Sequence, residues 1–331
     1  MLNLARLSNE NRKDVFTATA LKKGMNEAIV EKDFWVCWIL EILFHHCDFS
    51  EHLSFKGGTS LSKGYGVIER FSEDIDLIID WRVLGYSINE PWNDRSNSAQ
   101  VRFNDEANSR TEVFLKDKLM PHLNSLVELQ EIKDYRFYID DMDKQTIRFV
   151  YPQLFSDEAL VQEIRLEIGS LAAWTPLMNR VITPYVAEEF PHVFKISNTI
   201  VRTVDAKRTF WEKATILHSE AHRAGTKIPQ RYSRHYYDLY ILSKSIIKKE
   251  AFEDFELLEK VAAFKNKFYH SNRARYDLAT KDRLMLLPPE ASLEDLYNDY
   301  SSMKSMIFGS VIDFKEILEG LEQLLVEIRS Y

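Results

Sequence analysis

Residues 55–80 read Phe-Lys-Gly-Gly-Thr-Ser-Leu-Ser-Lys-Gly-Tyr-Gly-Val-Ile-Glu-Arg-Phe-Ser-Glu-Asp-Ile-Asp-Leu-Ile-Ile-Asp. The run Leu53-Ser-Phe-Lys predicts a short strand entering a Gly-Gly turn. Asp74 to Asp80 alternates acidic and aliphatic residues, which predicts a neighbouring strand that ends at a turn over Trp81–Gly85. Gly57 and Gly58 remove side chains at a strand-to-helix turn, so backbone N–H groups can approach a phosphate; Thr59 and Ser60 are expected to cap the helix whose positive end faces that anion. Asp74 and Asp76 lie two apart, on one face of a strand, where their carboxylates repel unless they share divalent cations. Mg²⁺ takes carboxylate oxygens together with substrate phosphates, and two such ions stabilise the attacking and departing oxygens of phosphoryl transfer. The pair by itself also admits a plainer reading, alternating Asp on a solvent-facing strand.

On the N-terminal side, residues 10–47 carry helical spacing in Ile29, Phe34, Trp35, Trp38, Ile39, Leu43 and Phe44, around charged Glu31, Lys32 and Asp33. On the C-terminal side, polar residues 86–104 predict a surface loop and 105–129 a helix, followed by short strands at 135–139, 146–152 and 162–170. From Asp205 onward the strand signal stops. Helical periodicity fills 205–223, 232–249, 251–269, 292–306 and 312–329, with breaks at Gly225–Pro229, Leu287–Pro289 and Gly309. The expectation is an α+β chain: N-terminal helices and a mixed β-sheet flanked by helices over 1–204, then an all-helical domain over 205–331.

The composition of the 331 residues, 45% hydrophobic and 28% charged, excludes disordered and low-complexity proteins. Two cysteines, Cys37 and Cys47, cannot form a disulfide framework or a Cys-based zinc site, and both are expected on a buried helix. The charged N-terminus does not read as a secretory signal, so the expected compartment is the cytoplasm. Phe34 to Phe44, interrupted by Glu41, reads as a core helix rather than a membrane span. A net charge of −8 argues against a protein that coats nucleic acid. Within 200–235, however, Arg202, Lys207, Arg208, Lys213, Arg223, Lys227, Arg231 and Arg234 face only Asp205, Glu212 and Glu220, a local +5. That stretch is either a docking surface for phosphates or a solvated helix face.

Further residues fit the same chemistry. Glu167, at a period-two position, is a candidate third carboxylate, with an Arg165–Glu167 edge-strand ion pair as the plainer alternative. Lys213, in Thr-Phe-Trp-Glu-Lys-Ala, is either a snorkelling surface residue or a point charge for a triphosphate. Arg234 and Asp238 stand one helical turn apart, as in a simple i,i+4 pair. The His218/His222 pair lacks the H-E-x-x-H placement, and neither a P-loop nor a G-x-S-x-G elbow occurs. Tyr232, Tyr236, Tyr237 and Tyr240 read as core residues, with base stacking as the alternative.

Gly-Gly-Thr-Ser-Leu, Arg-Phe-Ser-Glu-Asp-Ile-Asp, Phe-Trp-Glu-Lys-Ala and Arg-His-Tyr-Tyr-Asp-Leu, in this order, resemble the successive motifs of the AbiEii/AbiGii toxin family, within the DNA polymerase β-like nucleotidyltransferase superfamily. Val-Glu-Lys-Asp-Phe-Trp (30–35) and Asn-Asp-Tyr-Ser-Ser-Met (298–303) extend the resemblance over nearly the whole chain. Fifteen residues separate Gly58 from Asp74, longer than is usual in the superfamily but in keeping with this family. The resemblance implies an NTP-dependent, pyrophosphate-releasing nucleotidyltransferase, the toxin of a type IV, abortive-infection-like toxin–antitoxin pair. It further implies that Gly58 and Ser60 hold phosphates, that Asp74 and Asp76 ligate Mg²⁺ (two ions), that Lys213 contacts the nucleotide, and that Asp238 completes the site; Gly57, Thr59 and Arg234 are further candidates for nucleotide binding beside them. Glu167 as the third metal ligand follows from strand geometry and superfamily logic. Members that modify tRNA 3′ ends make tRNA the expected acceptor, docked on the +5 segment, and an antitoxin the expected partner. The alternatives are NMP transfer to a protein hydroxyl and a nucleotide-binding interaction protein without turnover.

Overall fold

The computed structural model describes all residues except 73, 158–159 and 224–227, together with the side chain of Ser305. Glu73, immediately before Asp74-Ile-Asp76, Lys227 of the basic stretch and the break at Gly225 therefore lie outside the described residues. The chain divides into two units, Met1–Gly64 with Glu73–Thr203, and Tyr65–Ser72 with Val204–Tyr331.

The first unit contains α1 (Leu2–Ala5), α2 (Asn9–Lys23), α3 (Glu27–Glu41), β1 (Leu53–Lys56), α4 (Gly57–Thr59), β2 (Asp74–Ile79), α5 (Asn97–Phe114), α6 (Met120–Leu129), β3 (Arg136–Ile139), β4 (Thr146–Val150), β5 (Ile164–Gly169), β6 (Leu177–Ile182), α7 (Tyr185–Glu189) and β7 (Thr199–Val204). The strands form one mixed sheet in the order β3-β4-β5-β2-β1-β7-β6. β1 and β2 pair antiparallel, while β2 pairs parallel to β5. Because side chains alternate across a strand, the sheet has two distinct faces. Phe55, Ile75, Leu77, Leu166, Ile168, Ile147 and Phe149 form a buried face. It meets Trp35 and Trp38 of α3, whose rings lie 6.3 and 6.0 Å from that of Phe149. The opposite face carries the charged residues of β2, β4 and β5.

Several elements differ from their sequence reading. The single helix over 10–47 is two helices, because Gly24 is left-handed (φ 63°) and Asn26 caps α3 by accepting from the Ala28 amide. Cys47 lies just past the helical end in extended conformation, and both cysteines are buried and free. The loop over 86–104 gives way to α5 at Asn97, capped by Ser96; its inward face includes polar Gln100 and Thr111, which weakened the apolar stripe. β6 and β7 were not anticipated: β6 turns mostly polar or exposed residues outward.

The second unit is helical: α8 (Ala206–Ala221), α9 (Arg234–Ser243), α10 (Ile246–Phe252), α11 (Phe255–Phe268), α12 (Leu293–Met303) and α13 (Phe314–Ser330). The helix expected over 232–249 breaks where Ser245 caps α10. Residues 65–72, read with the strands, belong to this unit: Phe71 N–H donates to the Met306 carbonyl (2.7 Å) and Phe308 N–H to that of Glu69 (2.8 Å). Tyr236, Tyr237 and Tyr240 are buried, with Tyr236 against Phe314, so this stripe is core and not a stacking surface for bases. No helix among the described residues is long and apolar enough to cross a membrane.

Candidate active site

β1 ends at Lys56, opposite Asp76 in the antiparallel register, and the chain turns at once into a helical run. Gly57 makes that turn with φ 79°, and a Cβ at this position would lie 1.8 Å from Asp76 Oδ2. Glycine is thus required twice, for the left-handed backbone and for the carboxylate against it. The helix is not capped by Thr59 or Ser60 as expected: Lys56 holds the N-cap position, and both hydroxyls sit inside the first turn. Thr59 Oγ1 donates to the Asp74 carbonyl, tying the turn to the start of β2, and Ser60 Oγ donates to the Gly57 carbonyl at 2.8 Å.

Parallel pairing of β2 with β5 sets Asp74 beside Arg165 and Asp76 beside Glu167. Burial, then the Asp76 and Asp74 charges, push the Glu167 carboxyl up to about 7, against the pull of Arg165. Arg165 Nη2 lies 2.9 Å from Glu167 Oε1, so the ion pair exists, although on an interior strand rather than an edge. With Glu167 turned to Arg165, no group of three His, Cys, Asp or Glu side chains among the described residues is gathered as a ligand set. The chemistry of the donors nevertheless fits a divalent cation. Burial, together with hard carboxylate oxygens on the adjacent strand, raises Glu167, and a cation bound among these oxygens would offset their mutual repulsion.

In the second unit, Asp238 is fully buried and accepts from Arg70 Nε (2.7 Å) and Nη2 (2.9 Å). Lys213 Nζ lies 2.8 Å from Asp238 Oδ2 and 3.1 Å from His235 Nδ1. The two cations hold the Asp238 carboxyl well below the usual range despite its burial. Burial and Lys213 push His235 well down, so its neutral ring accepts from the ammonium. Arg70 and Lys213 against Asp238 leave one positive charge in excess; burial lowers the Lys213 pKa, Asp238 works against this, and Arg70 and half-buried Arg234 lower it further. The i,i+4 pair of Arg234 with Asp238 is replaced by the Arg70 fork, which satisfies both carboxylate oxygens. Arg70 was missed in the sequence; its only signal was its position at the head of the Arg-Phe-Ser-Glu-Asp-Ile-Asp run.

Besides Lys213, four of the eight basic residues of the stretch are held in ion pairs: Arg202 with Glu51, Lys207 with Asp254, Arg208 with Glu212, and Arg223 with Glu220. For these four cations the charge count overstates what is open to a docking phosphate. His218 is a core latch, its Nε2 2.9 Å from the Arg275 carbonyl and its Nδ1 accepting from Met285 N–H at 3.1 Å.

Residues 38–320 match the family described as nucleotidyl transferase AbiEii toxin, type IV toxin–antitoxin system. Among solved structures, JHP933 from Helicobacter pylori aligns over 92% of this chain and 93% of its own, with 15% identity and a TM-score of 0.43. MenT4, a nucleotidyltransferase toxin from Mycobacterium tuberculosis H37Rv, aligns over 95% and 97%, with 15% identity and a TM-score of 0.45. A search of the curated proteins finds no match. The family generally uses an NTP and a divalent metal, and membership of a toxin–antitoxin system implies an antitoxin partner. A family match that runs through both the strand-borne carboxylates and the Lys213–Asp238 cluster places the chain: it belongs to the AbiEii nucleotidyl transferase toxins of type IV toxin–antitoxin systems.

Proposed function

We propose that the protein transfers NMP from an NTP to the 3′-terminal hydroxyl of a tRNA, in a Mg²⁺-dependent reaction that releases pyrophosphate. The observation that carries this reading is the placement of Asp76 against the Gly57 turn and beside Glu167. Asp74 and Asp76 would hold the cation, with Glu167 as the candidate third ligand. When bound, Mg²⁺, two ions in the full arrangement, lowers the pKa of the acceptor hydroxyl and neutralises phosphate charge. The amides of Gly57, Gly58 and Thr59 are the proposed phosphate donors at the opening of the helix, whereas the Ser60 N–H, expected with them from the sequence, donates to the Gly57 carbonyl. The acceptor oxygen attacks the α-phosphorus, the bond to the α–β bridging oxygen breaks, and pyrophosphate leaves. The acceptor proton passes to a carboxylate of the site, Glu167 or Asp76 acting as local base. For Lys213 and Arg234 the proposal is contact with the nucleotide, supported by the excess positive charge around Asp238. Asp238 is then a positioning residue for Lys213. The proposed setting is the cytoplasm, with the antitoxin as regulator.

The test supplies the protein with Mg²⁺, total tRNA and each α-³²P-labelled NTP in turn, beside Asp74→Ala/Asp76→Ala. Label in RNA that the variant abolishes supports the proposal. Label in protein alone makes the acceptor a polypeptide hydroxyl, and nucleotide binding without any label leaves a binding protein without turnover.

A further inference from the structure

Glu31, Lys32 and Asp33 are three consecutive charged residues of α3, and all three are buried. Each holds a different segment of the first unit. Glu31 accepts from the amides of Leu154 (2.8 Å) and Phe155 (3.1 Å), and Lys32 Nζ donates to the Val161 carbonyl (2.5 Å). Asp33 Oδ1 lies 2.7 Å from Lys63 Nζ, and its Oδ2 accepts from Tyr185 N–H at the start of α7 (2.7 Å). The Lys63 ammonium also sits 3.9 Å from the centre of the Tyr185 ring. Only 8% of the Lys63 side chain and 3% of that of Asp33 are exposed.

Lys63 belongs to the π-helical turn Ser60–Gly64, which continues the α4 turn directly. The run that opens at Gly57 is therefore tied at its start to β2 through Thr59 and at its end to α3 through Lys63. Such a run cannot hold its own position. It is about two turns long, begins with two glycines and departs from α geometry, so local helix formation contributes little. Nor does packing alone call for this anchor. An ion pair buried at this depth bears a desolvation cost, and well-packed apolar residues of similar volume commonly serve stability as well or better. What the ion pair adds is a directional fix, with Lys63 bound to one carboxylate oxygen and α7 to the other.

We propose that Asp33 and Lys63 are a positioning pair for the transfer reaction, holding the Gly57–Ser60 turn at the height over Asp76 at which nucleotide phosphates meet the carboxylates. The inference rests on the reading of that turn as the phosphate site. It makes the Val-Glu-Lys-Asp segment part of the working apparatus although none of its residues touches substrate.

The test compares wild type with Asp33→Leu/Lys63→Met, which replaces the pair by apolar side chains, and with Asp33→Glu, which keeps the charge but displaces it. Thermal melting establishes folding, amide hydrogen exchange reports on residues 57–64, and steady-state kinetics separate KM for the NTP from kcat. The folded apolar pair is expected to exchange these amides about tenfold faster, the local opening no longer being held shut. It is also expected to raise KM about tenfold, more than it lowers kcat, as misplaced binding groups do. Unchanged exchange and unchanged KM in a folded variant overturn the proposal. If the apolar pair does not fold, Asp33→Glu decides: a raised KM supports the pair as a positioning device, and a wild-type KM overturns it. A wild-type protein that incorporates no nucleotide refutes the functional reading instead, and exchange over 57–64 then decides the anchoring by itself.

Discussion

Gly57→Ala is the sharpest single perturbation of the site. Alanine at φ 79° bears left-handed strain, and its Cβ would stand 1.8 Å from Asp76 Oδ2, 2.6 Å from Cγ and 2.9 Å from Cβ. The strain costs roughly 1–2 kcal/mol. The contact cannot be absorbed without moving the carboxylate by about an ångström or more, and misplacement of that size costs on the order of 100-fold in rate. Gly24→Ala is the internal control: Gly24 is also left-handed, at φ 63°, yet a Cβ there meets nothing within 4 Å. Urea unfolding and nucleotide incorporation are measured on both. Both variants are expected to lose about 1–2 kcal/mol from backbone strain, while only Gly57→Ala loses turnover, by about 100-fold. Full turnover in Gly57→Ala would refute the placement of Asp76 against the turn.

Asp238→Asn leaves Arg70 and Lys213 without their buried counter-charge and is expected to cost about 3–5 kcal/mol in urea unfolding, whereas a loss below about 1 would show the cluster to be solvated. Because the folded Asp238 pKa is depressed, its contribution is present above its unfolded value and is lost as pH falls below about 4, so the gap between wild type and variant narrows in acid. Glu31 behaves oppositely: burial raises it to about 7, so its favourable contribution is complete below its unfolded value and disappears as pH rises through 7. Unfolding free energies at pH 5 and pH 8 should therefore show wild type losing up to about 3 kcal/mol relative to Glu31→Gln, and a pH-independent difference would contradict the assignment.

Much of the first unit was legible because its signals are local. The Asp74–Asp80 alternation and the Gly57–Gly58 break need only a few neighbouring residues to be read. Long-range pairings were not legible in the same way. The parallel register that sets Asp76 beside Glu167 joins strands separated by the whole of α5 and α6. The i,i+4 reading of Arg234 with Asp238 lost to Arg70, which lies 168 residues away in sequence but offers a bidentate fork. Glu31, Lys32 and Asp33 read only as charged residues amid apolar helical spacing, because composition does not reveal that a loop, a carbonyl and a second helix converge on them. The +5 stretch misled for a related reason: a charge count along the chain does not register the acidic partners Glu51 and Asp254 that lie outside the stretch.

The central claim is that Asp74 and Asp76 support NMP transfer with pyrophosphate release. It is tested most directly by following pyrophosphate and labelled nucleotide together, in one reaction with tRNA, for wild type and Asp76→Asn. The account predicts one pyrophosphate for each nucleotide incorporated in wild type, and neither product above background in the variant. Undiminished incorporation by Asp76→Asn, or NTP consumed without stoichiometric pyrophosphate, would contradict it.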